Sequence, residues 1–129
     1  MHREIITPAL VLRTRPYAES DRIVTLLTEQ QGKVTGIAKG AKNSRRRFAG
    51  TLEPFVRIRA AFQHRPGTDL VFLLRCELDG AWRAFGRDLD RFAAGTAVLE
   101  LADRMVHGRE PGHELFHLVS EALDLLDGG

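Results

Sequence analysis

Apolar and polar residues alternate along two segments in the middle of the chain, which predicts two β-strands. The even positions of residues 52–62 are apolar: Leu52, Pro54, Val56, Ile58, Ala60 and Phe62. The even positions of residues 70–78 are apolar too: Leu70, Phe72, Leu74, Cys76 and Leu78. A period of two residues is typical of a strand with one buried face. Pro66 and Gly67 lie between the segments and suit the centre of a type II turn.

Three earlier segments are rich in apolar and β-branched residues and predict three further strands. They are ALVLRTR (9–15), RIVTLLT (22–28) and KVTGIAK (33–39). Five short strands joined by short turns predict a small closed barrel such as the OB-fold. The pattern alone also allows an SH3-like barrel. We assign residues 1–80 to this barrel, and no amphipathic helix is predicted between its third and fourth strands.

After Gly80 the apolar residues recur every three or four positions, which predicts helices. A first helix starts with Asp88 as N-cap and stops at Gly108, and a second covers residues 113–127. We assign residues 81–129 to a partial helical domain. Two helices alone offer few partners for their apolar stripes, so part of each stripe is expected to stay exposed. The residues Leu99, Val106, Leu123 and Leu126 lie on these incompletely buried stripes.

Composition excludes several classes of protein. The 129 residues are 43% apolar and 28% charged, which is ordinary for a globular protein. No apolar run approaches the length of a membrane span and no signal peptide is recognisable, so a cytoplasmic protein is expected. Cys76 is the only cysteine, which excludes an internal disulfide and a cysteine-rich metal site. As an inward residue of a strand, it is expected to be a small buried apolar side chain.

Charge is distributed unevenly along the chain. The net charge is +2, but residues 1–80 carry fourteen Lys and Arg against eight Asp and Glu, whereas residues 81–129 carry five against nine. Six basic residues lie between Gly32 and Leu52 without a carboxylate among them: Lys33, Lys39, Lys42, Arg45, Arg46 and Arg47. Glycines punctuate this segment, so a mobile loop is predicted after Lys39. Binding of a polyanion would relieve the repulsion and release counterions, as in nucleic-acid binding.

Two aromatic residues lie beside basic ones. Phe48 follows the arginines and Tyr17 is close to Arg15, so either ring could stack on an unpaired base. Phe48 could equally close one end of the barrel. Arg13 and Arg15 share one face of the first strand and would extend the basic track.

The segment HELFH matches the H-E-x-x-H signature of zinc peptidases. His113 and His117 would bind the metal and Glu114 would polarise a water molecule. A catalytic zinc needs a third protein ligand, and no histidine or cysteine follows in the chain. We therefore predict no metal, no cofactor and no enzymatic activity.

Residues 11–55 resemble the N-terminal OB-fold of the RecO family of recombination mediators. Three motifs carry the resemblance: R-x-Y-x-E-S-D, G-K-V-x-G-x-A-K-G-A and R-F-x-G-x-L-E-P-F. The segment DLDRFAAGTAVLELADRMV is similar to the start of the family's helical domain. The resemblance thus covers essentially the whole chain.

The resemblance implies binding of single-stranded and duplex DNA and annealing of complementary strands, without a catalytic residue. It implies a nucleoid-associated protein that loads a recombinase together with a RecR-type partner and single-strand binding protein, which docks on the helical domain. It assigns the DNA-contacting surface to the basic residues of KGAKNSRRR. An OB-fold that docks proteins, or binds RNA without annealing, is the alternative.

Overall fold

The computed structural model describes residues 3–107 and 112–128. It contains five strands, β1 (Ile5–Tyr17), β2 (Asp21–Thr28), β3 (Gly32–Ala38), β4 (Val56–His64) and β5 (Val71–Ala81). Two helices follow, α1 (Leu89–Met105) and α2 (His113–Gly128). No helix within the described residues combines the length and the apolar character needed to span a bilayer.

The strands form a closed barrel in the order β1-β2-β3-β5-β4. β1 pairs antiparallel with both β2 and β4, and a short parallel pairing of β3 with β5 completes the ring. This Greek-key order is that of the OB-fold, which confirms the predicted barrel and selects it over the SH3-like alternative. No α-helix interrupts the connection between β3 and β4.

The barrel interior is filled by alternate residues of each strand. The even positions of β4 point inward as predicted, with Ile58, Ala60 and Phe62 fully buried. The prediction for β5 is wrong at its start and end: Val71 and Leu73 point inward, whereas Leu78 is 53% exposed. A register shift between Ala61 and Phe62 of β4 pairs Phe62 with Leu73 and Ala61 with Arg75. This bulge on β5 reverses the alternation at the start of the strand. Leu78 still pairs with the inward Ile58, so its exposure is not caused by the bulge.

The predicted start of β4 at Leu52 is also wrong, because the strand begins at Val56. Leu52 is buried in the interior, but it reaches the core from the preceding loop. Phe55 has a φ of 71°, which is incompatible with an extended strand. The apolar alternation therefore continues beyond the strand itself.

The helices cover one side of the barrel. Leu10 and Leu12 of β1 and Leu27 of β2 point outward and form a second apolar cluster with α1 and α2. Leu99 and Leu123 are buried in this cluster, so the barrel covers the part of the stripes that these two residues form. The reason is visible in the run ALVL, whose apolar residues on successive positions give β1 two buried faces. Val106 and Leu126 are partly buried against the same cluster.

A contact between aromatic rings joins the barrel to α1. Phe55 stacks on Phe85 with ring centroids 4.3 Å apart, and Gly95 of α1 lies against both rings. A Cβ atom at Gly95 would lie 2.5 Å from Phe85 and 2.7 Å from Phe55, so only glycine allows this approach. The helices bury their apolar faces on the barrel, so the two parts of the chain pack together through a shared apolar cluster. The division into two domains at residue 80 therefore stays a prediction.

Hydrogen bonds fix both ends of the helical segment. Asp88 accepts from the N–H groups of residues 90 and 91 and is the predicted N-cap of α1. The predicted stop at Gly108 lies outside the described residues. At the end of α2, Asp124 accepts a hydrogen bond from Trp82 Nε1 at 2.6 Å, and Asp127 accepts from the N–H of Ala84 at 2.8 Å. These contacts hold α2 against the end of β5.

Candidate nucleic-acid interface

The basic loop, residues 39–47, is tied at its start to the turn between β1 and β2. Gly40 adopts a φ of 67°, and its N–H donates to Asp21 Oδ1 at 2.8 Å. The N–H of Lys42 donates to the carbonyl of Ser20 at 3.0 Å. The motifs R-x-Y-x-E-S-D and K-G-A are therefore in direct contact in the fold.

The end of the basic loop is tied to the barrel as well. The carbonyl of Arg47 accepts a hydrogen bond from the N–H of Cys76 in β5 at 2.8 Å. Phe48 is only 3% exposed and lies in the interior cluster. Of the two roles open from the sequence, the structure therefore shows Phe48 closing the barrel, where its ring is inaccessible to a base. The loop is anchored at both ends, in contrast to the mobile loop that its glycines predict.

All five cations of the basic loop have exposed side chains. Within residues 3–107 and 112–128, every ion pair with a carboxylate is made by other side chains. Arg47 differs from its neighbours, because its Nη2 donates to the carbonyl of Lys39 at 2.7 Å and its guanidinium lies 4.9 Å from the Phe48 ring centroid. Arg47 thus shapes the loop, while Lys39, Lys42, Arg45 and Arg46 present its charge.

A second group of residues crosses the outer surface of the barrel beside this loop. Strand register aligns Arg15 with Ile23, Ile23 with Ile37, and Ile37 with Phe72. Neighbouring positions along these strands belong to the interior cluster, so alternation places this outer row on the opposite face of the sheet. On that face Arg15 is exposed and Phe72 is half-buried, whereas Ile23 and Ile37 between them are buried. In OB-folds the surface of strands 2 and 3, with the loops after strands 1 and 4, carries the oligonucleotide.

Phe72 of the outer row lies between two cations. Arg65 lies 4.5 Å and Lys39 5.9 Å from its ring centroid. Neither Arg65 nor Phe72 is predicted as a site residue from the sequence, because the alternation of even positions assigns Phe72 to the interior. The detectable signal was the position of Arg65, which immediately precedes the predicted turn at the end of β4. Tyr17 is 47% exposed and ends β1 at the turn that contacts the basic loop.

Two of the predicted DNA-binding cations are instead engaged by α1. Lys33 Nζ lies 2.5 Å from Asp103 Oδ1, and Arg13 Nε donates to Asp103 Oδ2 at 2.9 Å. Arg13 and Lys33 are thus paired with a carboxylate seventy or more residues away, and their contact with DNA stays a prediction. Burial opposes the ionisation of Asp103, but the hydrogen bond and charge of Lys33, with those of Arg13, outweigh it and lower the pKa of its carboxyl.

The HELFH segment has a different arrangement from a zinc site. His117 Nε2 lies 2.7 Å from Glu29 Oε2 at the end of β2, and His113 is exposed at the start of α2. Among the described residues, no three His, Cys, Asp or Glu side chains come together as a group of metal ligands. Cys76 is buried as predicted, and burial raises the pKa of its thiol to about 12.

Comparison with known protein families gives two matches that together cover all but residues 82–85 of the chain. Residues 1–81 match the family described as Recombination protein O N terminal, and residues 86–129 match Recombination protein O C terminal. Among curated proteins, DNA repair protein RecO of Anaeromyxobacter sp. (strain K) is 45% identical over 120 residues, which is 93% of this chain and 47% of that protein. The RecO proteins of Geobacter metallireducens and Myxococcus xanthus are 44% and 42% identical, over 95% and 92% of this chain. The chain spans about half the length of these relatives.

Proposed function

Because this chain belongs to the RecO family, whose relatives are named DNA repair proteins, we propose that it binds DNA through the basic loop and the outer row. The proposal includes both single-stranded and duplex DNA, and the annealing of complementary strands during recombinational repair. Base pairing supplies the specificity of annealing, so the protein needs only to bring two phosphate backbones together.

The observation that carries this proposal is the uncompensated charge of the basic loop. Lys39, Lys42, Arg45 and Arg46 are exposed on a loop that hydrogen bonds attach to the barrel. Holding like charges close together costs free energy, and a phosphate backbone offsets that cost while its counterions are released. A loop fixed before binding also loses little conformational entropy on binding, which favours affinity.

The outer row supports an additional contact with unpaired bases. Phe72 is only half-buried, and the cations of Lys39 and Arg65 flank its ring. An aromatic surface with adjacent positive charge is the usual platform for single strands, since the ring stacks on a base while the cations neutralise the backbone. A duplex hides its bases, so it would use the basic loop and gain little from Phe72.

The proposal extends to the partners of the family. A RecR-type mediator and single-strand binding protein would act with this chain in loading the recombinase. The names of the relatives and the two family matches support a role in DNA repair and recombination, and these partners are the more specific part of the proposal. Co-purification with each candidate partner, with and without DNA, tests it separately from DNA binding.

A salt titration of DNA binding tests the central claim. Fluorescently labelled single-stranded and duplex oligonucleotides of several sequences are titrated from about 50 to about 200 mM salt. Replacing Lys42, Arg45 and Arg46 together by Ala is expected to flatten the slope of log affinity against log salt by up to about two units on single strands, at about 0.7 per phosphate contact. Affinity is expected to fall equally on every sequence, because phosphate contacts carry no base information.

The matched control removes three exposed arginines outside the basic loop and the outer row, Arg59, Arg83 and Arg87. This control changes net charge equally and is expected to leave most of the slope intact. A loop variant that stays folded and keeps the wild-type affinity and slope would contradict the proposal. Absence of DNA binding by the folded wild-type chain would favour the protein-docking alternative, and tighter binding of RNA in the same titration would favour the RNA-binding one.

A further inference from the structure

Asp103 of α1 lies on the barrel surface that carries the ligand in OB-folds. Its carboxylate joins Arg13 of β1 to Lys33 of β3, although β2 separates these strands. Strands are spaced about 4.8 Å apart, and Lys33 lies two residues along β3 from the position level with Arg13, so the two cations originate about 12 Å apart. Thr25 of β2 aligns with Arg13 on one side and with Thr35 of β3 on the other. The carboxylate of Asp103 thus binds two cations, one on each side of β2, on a surface that includes small threonine side chains.

The position of Asp103 is unfavourable for the helix that carries it. It occupies the last turn of α1, where the helix macrodipole disfavours a negative charge. The barrel supplies the compensation, because Lys33 Nζ contacts the carboxylate and also donates to the backbone carbonyl of Asp103 at 3.1 Å. Contacts with the basic surface of the barrel therefore stabilise the negative charge of Asp103, whereas its position within α1 does not.

The attachment of α1 does not depend on this ion pair. Leu99 and Ala102 of α1 are buried against the barrel in the second apolar cluster. Burying apolar side chains of this kind usually contributes several times more than an ion pair with a largely exposed partner such as Arg13. The Arg13 side chain remains 61% exposed in its pair, so it stays accessible from solvent.

We propose that Asp103 is a built-in competitor of DNA phosphate for Arg13 and Lys33, which limits DNA affinity on this side of the barrel. This inference rests on the proposed DNA binding and adds a specificity-determining residue to it. In the wild-type chain, DNA contacts the basic loop and the outer row, while the Arg13 side of the surface is neutralised. Removing the carboxylate extends the phosphate-binding surface from the loop to Arg13. Lys33 is released less completely, because its contact with the helix carbonyl remains.

The test is a set of single and double variants in the salt titration. Asp103→Asn is expected to raise the affinity for single-stranded DNA by roughly two- to five-fold, the range that one exposed ion pair usually contributes. It is expected to steepen the salt slope by about 0.7 to 1.4 units, for one or two new phosphate contacts. Asp90→Asn is the matched control, because it removes the same charge from α1 at thirteen residues, or about 20 Å, from Asp103.

Arg13→Ala distinguishes competition from a general effect of charge. In the wild-type background it is expected to leave the salt slope nearly unchanged, because Arg13 is already neutralised. In the Asp103→Asn background it is expected to restore most of the wild-type slope. A purely structural role of Asp103 would lower the melting temperature without any gain in DNA affinity. Asp103→Ser provides a second variant if Asp103→Asn does not fold, as judged by its circular dichroism.

The outcomes distinguish a failure of the inference about Asp103 from a failure of the proposed DNA binding. A folded Asp103 variant with the wild-type slope would overturn the inference while leaving the proposed function intact. An Arg13→Ala variant that flattens the slope equally in both backgrounds would overturn it too, because Arg13 would then contact DNA despite Asp103. A wild-type chain that binds no DNA would contradict the proposed function. If Asp103→Asn then binds no DNA either, the inference about Asp103 is contradicted as well.

Discussion

The carboxylate of Asp21 accepts a hydrogen bond of 2.8 Å from the backbone N–H of Gly40, nineteen residues further along the chain. The bond joins the turn after β1 to the first residues of the basic loop. The adjacent bond from the N–H of Lys42 to the carbonyl of Ser20 reinforces this contact. Two motifs that indicated the family from sequence are thus parts of one structural unit, which positions the loop.

Replacing Asp21 by Ala is expected to release the start of the basic loop. A hydrogen bond between a backbone N–H and a carboxylate that is only partly buried contributes about 1–2 kcal/mol to the free energy of unfolding. Urea unfolding measures this loss, and the rate of limited trypsin cleavage within residues 39–47 reports the loosened loop. Asp21→Asn keeps an acceptor oxygen and serves as the control. Equal trypsin resistance of Asp21→Ala and the wild type would show that the bond does not hold the loop.

Replacing Gly95 by Ala is expected to destabilise the chain by about 1–3 kcal/mol, although alanine favours helices by up to about 1 kcal/mol. The new methyl group would overlap the Phe55 and Phe85 rings, and the burial of Phe85 leaves it little room to move. Thermal unfolding measures the effect. Gly86→Ala is the control, because its Cβ meets no atom within 4 Å. A Gly95→Ala variant as stable as Gly86→Ala would contradict the close packing at this junction.

Phe48 and Phe72 are expected to differ in what their loss affects. Phe48→Ala leaves a cavity in the barrel and is expected to lower the free energy of unfolding by about 3–5 kcal/mol. Phe72→Ala is expected to cost about 1–3 kcal/mol of affinity on single strands and little on duplex, because its ring is a stacking surface. Urea unfolding and DNA titration of both variants check these outcomes. The assignment fails if Phe72→Ala weakens duplex and single-strand binding equally.

The contribution of Asp103 to stability is expected to disappear in acid. Since its pKa is lowered in the folded state, its ion pairs stabilise the fold above the unfolded-state pKa of about 3.9 and lose this effect as the pH falls further. Urea unfolding of the wild type and of Asp103→Asn is compared from about pH 6 downward. The wild type is expected to be more stable near neutrality, and the difference is expected to vanish in acid. A constant difference at every pH would contradict this account.

The inward residues of the barrel were predicted correctly wherever every second residue of a strand faces inward and no bulge interrupts the alternation. The even positions of β4 satisfied this condition, and Ile58, Ala60 and Phe62 lie inside as expected. In β5 a single bulge moved Val71 and Leu73 to the inside, and no local signal announces such an insertion. The alternation before β4 continued into a loop, because Leu52 fills the same core from a different backbone conformation.

The candidate site was predictable only as far as its residues are close in sequence. The charge of the basic loop was visible as a run, whereas the neutralisation of Arg13 and Lys33 by Asp103 depends on helix docking. The helices dock on the barrel because the outward apolar side chains of Leu10 and Leu12 cover their apolar stripes. The cations around Phe72 were missed for the same reason, because they meet there from two separate segments of the chain.

The parallel seam between β3 and β5 has a consequence for local opening of the barrel. Two residue pairs join these strands within the described part of the chain, Gly36 with Val71 and Ile37 with Phe72, whereas each antiparallel seam is longer. Short parallel pairing is the least stable part of such a ring, so its amide hydrogens should exchange with solvent before those of the other seams. DNA lying along the outer row would bridge this seam. Bound single strands are therefore expected to slow amide exchange at Ile37 and Phe72, while exchange between β1 and β4 stays unchanged.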